Sequence, residues 1–309
     1  MRKLFLIPVL MLSTLAHAHD TITVDETLKT SGWFNESTEI KVQEIGKGLY
    51  VLFGAGGNIA ASVGERGVLL VDDQFQKFIP KIKSTIADLG GRRIDFAINT
   101  HWHFDHADGN QALGPEGTWL VAQNNSRAMM AESKIINAVS MQIEQPAYPE
   151  IAKPVITFED RMRFYFNGER VDLLHFGPAH TTGDAAIVFR GRNAVHLGDV
   201  FNNSGYPFID SDNGGHLDGM IRFCKQVLAE IDEDTTVIPG HGPVTDYQGL
   251  VDYIDMLETV RKRLVTLISS GASLASVIAA KPTADFDQTF GDPASFVDRA
   301  YTSLVLAGY

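Results

Sequence analysis

The run His101-Trp102-His103-Phe104-Asp105-His106 places four metal-ligand side chains within six residues. On an extended chain, alternation puts His101, His103 and Asp105 on one side and His106 on the other. Four such donors crowd a single tetrahedral ion, but they can serve two ions a few ångströms apart. Further donors lie downstream in similar surroundings. His180 sits in Gly177-Pro178-Ala179-His180-Thr181-Thr182-Gly183-Asp184, Asp199 in Leu197-Gly198-Asp199, and His241 in Pro239-Gly240-His241-Gly242-Pro243. Imidazole and carboxylate donors suit zinc, and also iron or manganese. Two divalent ions against two carboxylates and a hydroxide leave a net positive site, suited to stabilising an oxyanion.

Each donor follows or precedes a short apolar run. Strands are predicted at Leu49–Phe53, Asn58–Val63, Gly67–Val71, Phe96–Ile98 and Trp119–Ala122. Others follow at Arg161–Phe166, Arg170–His175, Ala185–Arg190, Asn193–Leu197 and Thr236–Ile238. Helical spacing of apolar residues marks Phe78–Leu89, Leu217–Ile231 and Leu250–Ile268, with further helices at Leu274–Ala280 and Phe296–Val305. Gln145 to Pro154 reads as a loop. Strands alternating with helices predict layered α/β packing, with helices outside the sheets. Donors at strand ends are then carried by loops that converge on one sheet edge.

The segment resembles the His-x-His-x-Asp-His signature of the metallo-β-lactamase-fold superfamily, and His180, Asp199 and His241 match its remaining ligands in order. The resemblance extends from the strands near residue 49 to about residue 245. It implies a four-layer αβ/βα sandwich with the site at the edge between two sheets. It implies one zinc on His101, His103 and His180, a second on Asp105, His106 and His241, and Asp199 bridging the two. Asp72, ending Leu69-Leu70-Val71-Asp72, resembles the family's early strand-end Asp, which supports the ligands from behind. The implied reaction is attack by a metal-bound hydroxide on a carbonyl, with Asp105 orienting the hydroxide and relaying its proton. Three imidazoles on one metal, and no Glu at the second position of the motif, argue against the di-iron oxygen-reducing branch.

The bridging Asp199 resembles the thioesterase, lactonase and phosphodiesterase branches. The lactamases with a Cys ligand carry a thiolate there and a Lys three residues later, where this chain has Asn202. An amide, lactone or thioester is placed ahead of a phosphodiester. A non-hydrolytic protein, a single-iron sulfur-oxidising enzyme or an accessory factor, is the contrasting class, and a bridging carboxylate favours two metals over one.

Composition sets the compartment and the partners. Arg2 and Lys3, the apolar run Leu4–Leu15 and Ala16-His17-Ala18 read as a secretory signal peptide over residues 1–18, cleaved after Ala18. Residues 19–309 read as one hydrolase domain with C-terminal helices, secreted and periplasmic, without stable membrane insertion after cleavage. The chain of 309 residues carries 38 acidic and 26 basic side chains, a net charge of −12. Losing the two basic groups of the leader deepens this to −14. Such a surface disfavours nucleic acid and leaves a small-molecule substrate. The single Cys excludes a disulfide framework and a Cys-based zinc site. Cys224 is expected to pack in a helix face, His175 and His196 to hydrogen-bond in the core, and His216 to cap or pack. Asp184 is expected to stabilise its turn, Asp73 to be structural, and Gly54-Ala55-Gly56-Gly57 to form a hairpin turn, with a flap over the substrate as a second role.

Overall fold

The computed structural model describes residues 21–30 and 37–309. The leader predicted at 1–18, and His19, lie outside the described residues. Two large sheets face each other. The seven-stranded sheet runs, in space, Ile156–Phe158, Trp119–Gln123, Ile94–Ile98, Gly67–Val71, Ile59–Gly64, Leu49–Phe53 and Lys41–Gly46. The six-stranded sheet runs Arg161–Phe166, Glu169–Leu174, Ala186–Phe189, Ala194–His196, Thr236–Ile238 and Thr245–Asp246.

Period-two alternation divides the side chains into layers. Leu69 and Val71 face the second sheet, in a core shared with Leu173, Ile187 and Phe189. Val68 and Leu70 face outward and pack with Ile79, Ile82 and Ile86 of the helix Ile79–Asp88. On the far side, Val188, Val195 and Val237 meet helices Leu217–Leu228, Tyr247–Ser269 and Ala294–Leu306. This is the expected αβ/βα sandwich. A one-residue slip of Gly67–Val71 would exchange its two apolar faces, so the register is fixed from both sides. Leu69 is fully buried, and its truncation to Ala would cost about 2–5 kcal/mol.

The helices begin where short polar groups can hold free backbone N–H groups. Asp246 caps Tyr247–Ser269 by accepting from Gly249 N, and His216 caps Leu217–Leu228 by accepting from Asp218 N. Each sheet contains a pair of parallel neighbours whose carboxyl ends open at the same edge. Gly67–Val71 and Ile94–Ile98 lead to Asp72 and His101; Ala194–His196 and Thr236–Ile238 lead to Asp199 and His241. Carboxyl ends of parallel strands are where open α/β sheets bind ligands.

Several elements have weaker sequence signals. Lys41–Gly46 is a largely exposed edge strand, and Ile156–Phe158 is a three-residue edge. The hairpin Lys134–Asn137 with Gln142–Gln145 forms a small separate sheet with Thr21–Thr23. Among the described residues no helix is long and apolar enough to cross a membrane.

Candidate metal centre

The six-residue motif changes conformation halfway. His103 is extended, and Phe104–Ala107 then forms one helical turn. The alternation expected through Asp105 therefore stops at His103. A helical turn advances about 100° per residue, so Asp105 and His106 leave the side shared by His101 and His103. They join His241 and Asp199 instead. The buried Trp102 ring packs edge-on to His103, and Phe104 packs against Phe75.

Two groups of donor atoms result. His101, His103 and His180 form one; Asp105, His106, Asp199 and His241 form the other, with the atoms of each group within 4.8 Å of one another. In the first, His103 Nδ1 lies 3.0 Å from His180 Nε2. The second nitrogens of both rings are committed. His180 Nδ1 donates to the Phe208 carbonyl at 2.8 Å, and His103 Nε2 donates to Asp210 Oδ2 at 3.0 Å. In the neutral rings two lone pairs therefore face each other. Buried His101 Nε2 has no hydrogen-bond partner, while its Nδ1 lies 3.0 Å from Thr100 Oγ1. Three converging nitrogens without protons to share are a cation site in need of positive charge, and the residues fit a divalent metal.

In the second group, His106 Nδ1 donates to Asp72 Oδ2 at 2.7 Å, which turns its Nε2 toward Asp199 Oδ1 at 3.0 Å and His241 Nε2 at 3.2 Å. His241 Nε2 lies 3.1 Å from Asp105 Oδ2. Asp199 reaches both groups, since its Oδ2 is 3.8 Å from His180 Nε2. The electrostatics follow the same division. Burial, and then the neighbouring His106, His180 and His103, hold His101 well below the usual imidazole range. Burial also disfavours charge on His241, but Asp199 and Asp105 outweigh it and push the ring up to about 10. Burial opposes ionisation of Asp199, yet His241 and His106 hold its carboxyl well below the usual range. The first group is sealed, whereas side-chain exposures of 14% for Asp105, 16% for Asp199 and 30% for His241 open the second to solvent.

The supports behind these donors are mostly tertiary. Asp72 takes Thr100 N at 2.7 Å, Thr100 Oγ1 at 2.8 Å and His106 at once, from a left-handed backbone (φ 64). Strain of this kind persists only where surrounding contacts fix it. Asn58 Nδ2 donates to the Pro239 and Gly242 carbonyls, fastening the His241 loop. Gly57 N donates to the Asp105 carbonyl, so Gly54–Gly57 grips the motif besides turning the chain. Asp210, Asn58 and Gln74, whose amide donates to the Gly57 carbonyl, escaped the sequence reading because nothing near them in the chain marks their partners; Thr100 stands beside His101, but its tie to Asp72 spans 28 residues. Asp184 accepts from Ala179 N, Thr181 N and Thr181 Oγ1, holding the His180 turn as expected. His196 bonds Asn58 O and His175 bonds Asp184 O, and Cys224 is buried with its thiol pushed up by burial. Burial, then Asp72 and Asp108, raise the buried Asp73 well above the carboxylate range, and it stays inside the core.

Residues 46–256 match the model of the metallo-beta-lactamase superfamily. The probable metallo-hydrolase YqgX of Bacillus subtilis (strain 168) is 26% identical over 188 residues, 58% of this chain and 84% of that protein. Among solved structures, a metallo-beta-lactamase from Pontibacter korlensis superposes with a TM-score of 0.58 at 16% identity, covering 71% of this chain and 99% of that one. The DIM-1 metallo-beta-lactamase gives 0.56 at 16% identity, covering 72% and 98%. The chain belongs to the metallo-beta-lactamase superfamily, and its His/Asp cluster suits a divalent metal.

Proposed function

We propose that this superfamily member is an exported, binuclear zinc hydrolase acting on a carbonyl substrate: a β-lactam-like amide, a lactone or a thioester. His101, His103 and His180 would hold one zinc, and Asp105, His106 and His241 the other, with Asp199 shared. The observation that carries this reading is Asp199, whose two oxygens lie toward different donor groups. Zinc in such a site supplies an acidified water as nucleophile and polarises the acceptor oxygen.

The protein's own residues do the rest. Asp72 and Asp210 fix which ring nitrogen of His106 and His103 faces the centre. Asp105 presents a partly exposed carboxylate beside His241, placed to orient the attacking water and to take its proton. Trp102, fully buried behind His103, keeps bulk water from the inner triad. Export rests on the leader pattern of residues 1–18, and sequencing the mature amino terminus tests it.

The test is metal content followed by turnover. Two zincs per chain, with hydrolysis of a chromogenic cephalosporin, a lactone or an acyl thioester, support the reading. One iron per chain refutes it, and turnover confined to an aryl phosphodiester moves the substrate to phosphorus.

A further inference from the structure

The buried polar contacts continue past Asp210. Asp210 is 1% exposed and lies in the loop that follows Asp199. Its Oδ2 accepts from His103 Nε2, and the amide of Asn213 faces the same carboxylate, with Nδ2 at 2.9 Å from Oδ1 and 3.1 Å from Oδ2. The same Nδ2 donates to the carbonyl of Ile135 at 2.9 Å. An amide nitrogen has two hydrogens. One serves Asp210 and the other serves the hairpin Lys134–Asn137/Gln142–Gln145, so both are committed. A second tie runs beside it, from Asn137 Nδ2 to Asp212 Oδ2 at 2.8 Å, and Arg299 Nη1 lies 3.0 Å from that same oxygen. On the partner strand of the hairpin, Gln145 Nε2 donates to the carbonyl of Trp102, the residue before His103.

His103 is the member of the motif for which this matters most. It faces its partner histidine through Nδ1, whereas His180, His106 and His241 face theirs through Nε2. A neutral imidazole divides its two tautomers unless a partner selects one. Asp210 selects the Nε2–H form, and Asn213 determines where the Asp210 carboxylate points. We infer that Asn213 is a positioning residue of the metal centre: acting through Asp210, it holds His103 with Nδ1 free, and it ties that state to the docked hairpin. This rests on the metal reading above, for which His103 is an inner ligand.

A tautomer and metal-affinity effect separates Asn213 from a merely structural role. Breaking a loop contact would lower stability alone. Breaking this relay also changes the His103 tautomer and the affinity of the inner site. The variant is Asn213→Leu, which keeps approximate shape and removes both donors. Two readouts are used. In the metal-free protein, nitrogen-15 NMR of the histidine rings reports which nitrogen of His103 carries the proton. In a cobalt(II) titration, ligand-field bands report each site.

The wild type is expected to show Nε2–H at His103 and to take two cobalt ions. Asn213→Leu is expected to show mixed tautomers and an inner-site affinity weaker by about 10–100-fold, the usual loss when a group behind a ligand is removed. Asn137→Ala, which cuts the neighbouring tie and leaves Asn213 on Asp210, is expected to keep the Nε2–H form. Asn213→Ala, which removes both donors with a smaller side chain, is expected to show the same mixed tautomers and weakened inner site, and replaces Asn213→Leu should that variant not fold. A wild-type tautomer of Nδ1–H, or Asn213→Leu with unchanged tautomer and cobalt affinity, overturns the inference. A wild type that binds no divalent metal refutes the metal reading instead, while the metal-free tautomer comparison still decides the relay.

Discussion

Replacing Gly57 with alanine puts a methyl group where the His106 ring lies. A Cβ built on Gly57 would stand 2.1 Å from Cε1, 2.5 Å from Nδ1 and 2.6 Å from Nε2 of that ring. Ordinary contact begins near 3.4 Å, so one side must retreat by more than an ångström. The ring is poorly placed to give way, because His106 is fully buried and held by Asp72 at 2.7 Å. The loop must move instead. That movement loosens Gly57 N to the Asp105 carbonyl at 3.0 Å and Gln74 Nε2 to the Gly57 carbonyl at 2.6 Å. It also pulls on Asn58, whose N donates to Gly240 O at 2.7 Å and so reaches the His241 loop. Overpacking of this kind costs about 1–3 kcal/mol. A displacement near 1 Å at reacting groups costs about 100-fold in turnover. Gly57→Ala should therefore lower the urea midpoint and cut kcat by about two orders of magnitude. A variant with wild-type midpoint and wild-type kcat would refute the reasoning that Gly57 is there for closeness to His106.

Asp105→Asn should reduce kcat by at least about 100-fold while the chain stays folded, since removing a proton-transfer group typically loses that much; retained turnover in a folded variant would reassign Asp105. Stripping metal with a chelator should lower Tm, and resupplying zinc should restore it, because ligand at about 1,000 times Kd contributes roughly 4 kcal/mol; a Tm indifferent to both would mean that no metal is bound by the folded state. Asp172 is opposed by burial, but Arg190, Arg163 and Arg170 outweigh this and hold its carboxyl below the ordinary 3.8. Its folded pKa is depressed, so its contribution is present above about pH 4 and lost as pH falls through the folded value. Asp172→Asn should cost about 1–2 kcal/mol at pH 7, allowing for the exposure of Arg163 and Arg170, and progressively less as the pH is taken down below about 4; a loss that does not shrink with falling pH would contradict this.

The donors were readable because their chemistry is local: His and Asp beside Gly at strand ends declare themselves by type and spacing. The core strands were readable for a similar reason, since Gly67–Val71 and Ala186–Phe189 are apolar runs of strand length. What escaped depends on distance in sequence. Asp210 lies 107 residues from His103, and Asn58 lies 181 from Pro239, so no window along the chain contains both partners. The short helix Phe104–Ala107 escaped differently. Four residues are too few for a periodic signal, and alternation was extended one step beyond the strand-like segment.

The donors are divided between the two sheets. His101, His103, Asp105 and His106 hang from the first, and His180, Asp199 and His241 from the second. The centre therefore does not exist until the faces bearing Leu69 and Phe189 have closed on each other. The apolar interface, together with the ties from Asn58 to the His241 loop and from His103 to Asp210, must hold the facing lone pairs together before a cation arrives. A cation then acts as a clasp across a finished seam. Interactions made after the folding barrier slow unfolding and leave the folding rate unchanged. Metal supply should thus govern how long each molecule stays closed, while the apolar residues between the sheets govern how fast it closes.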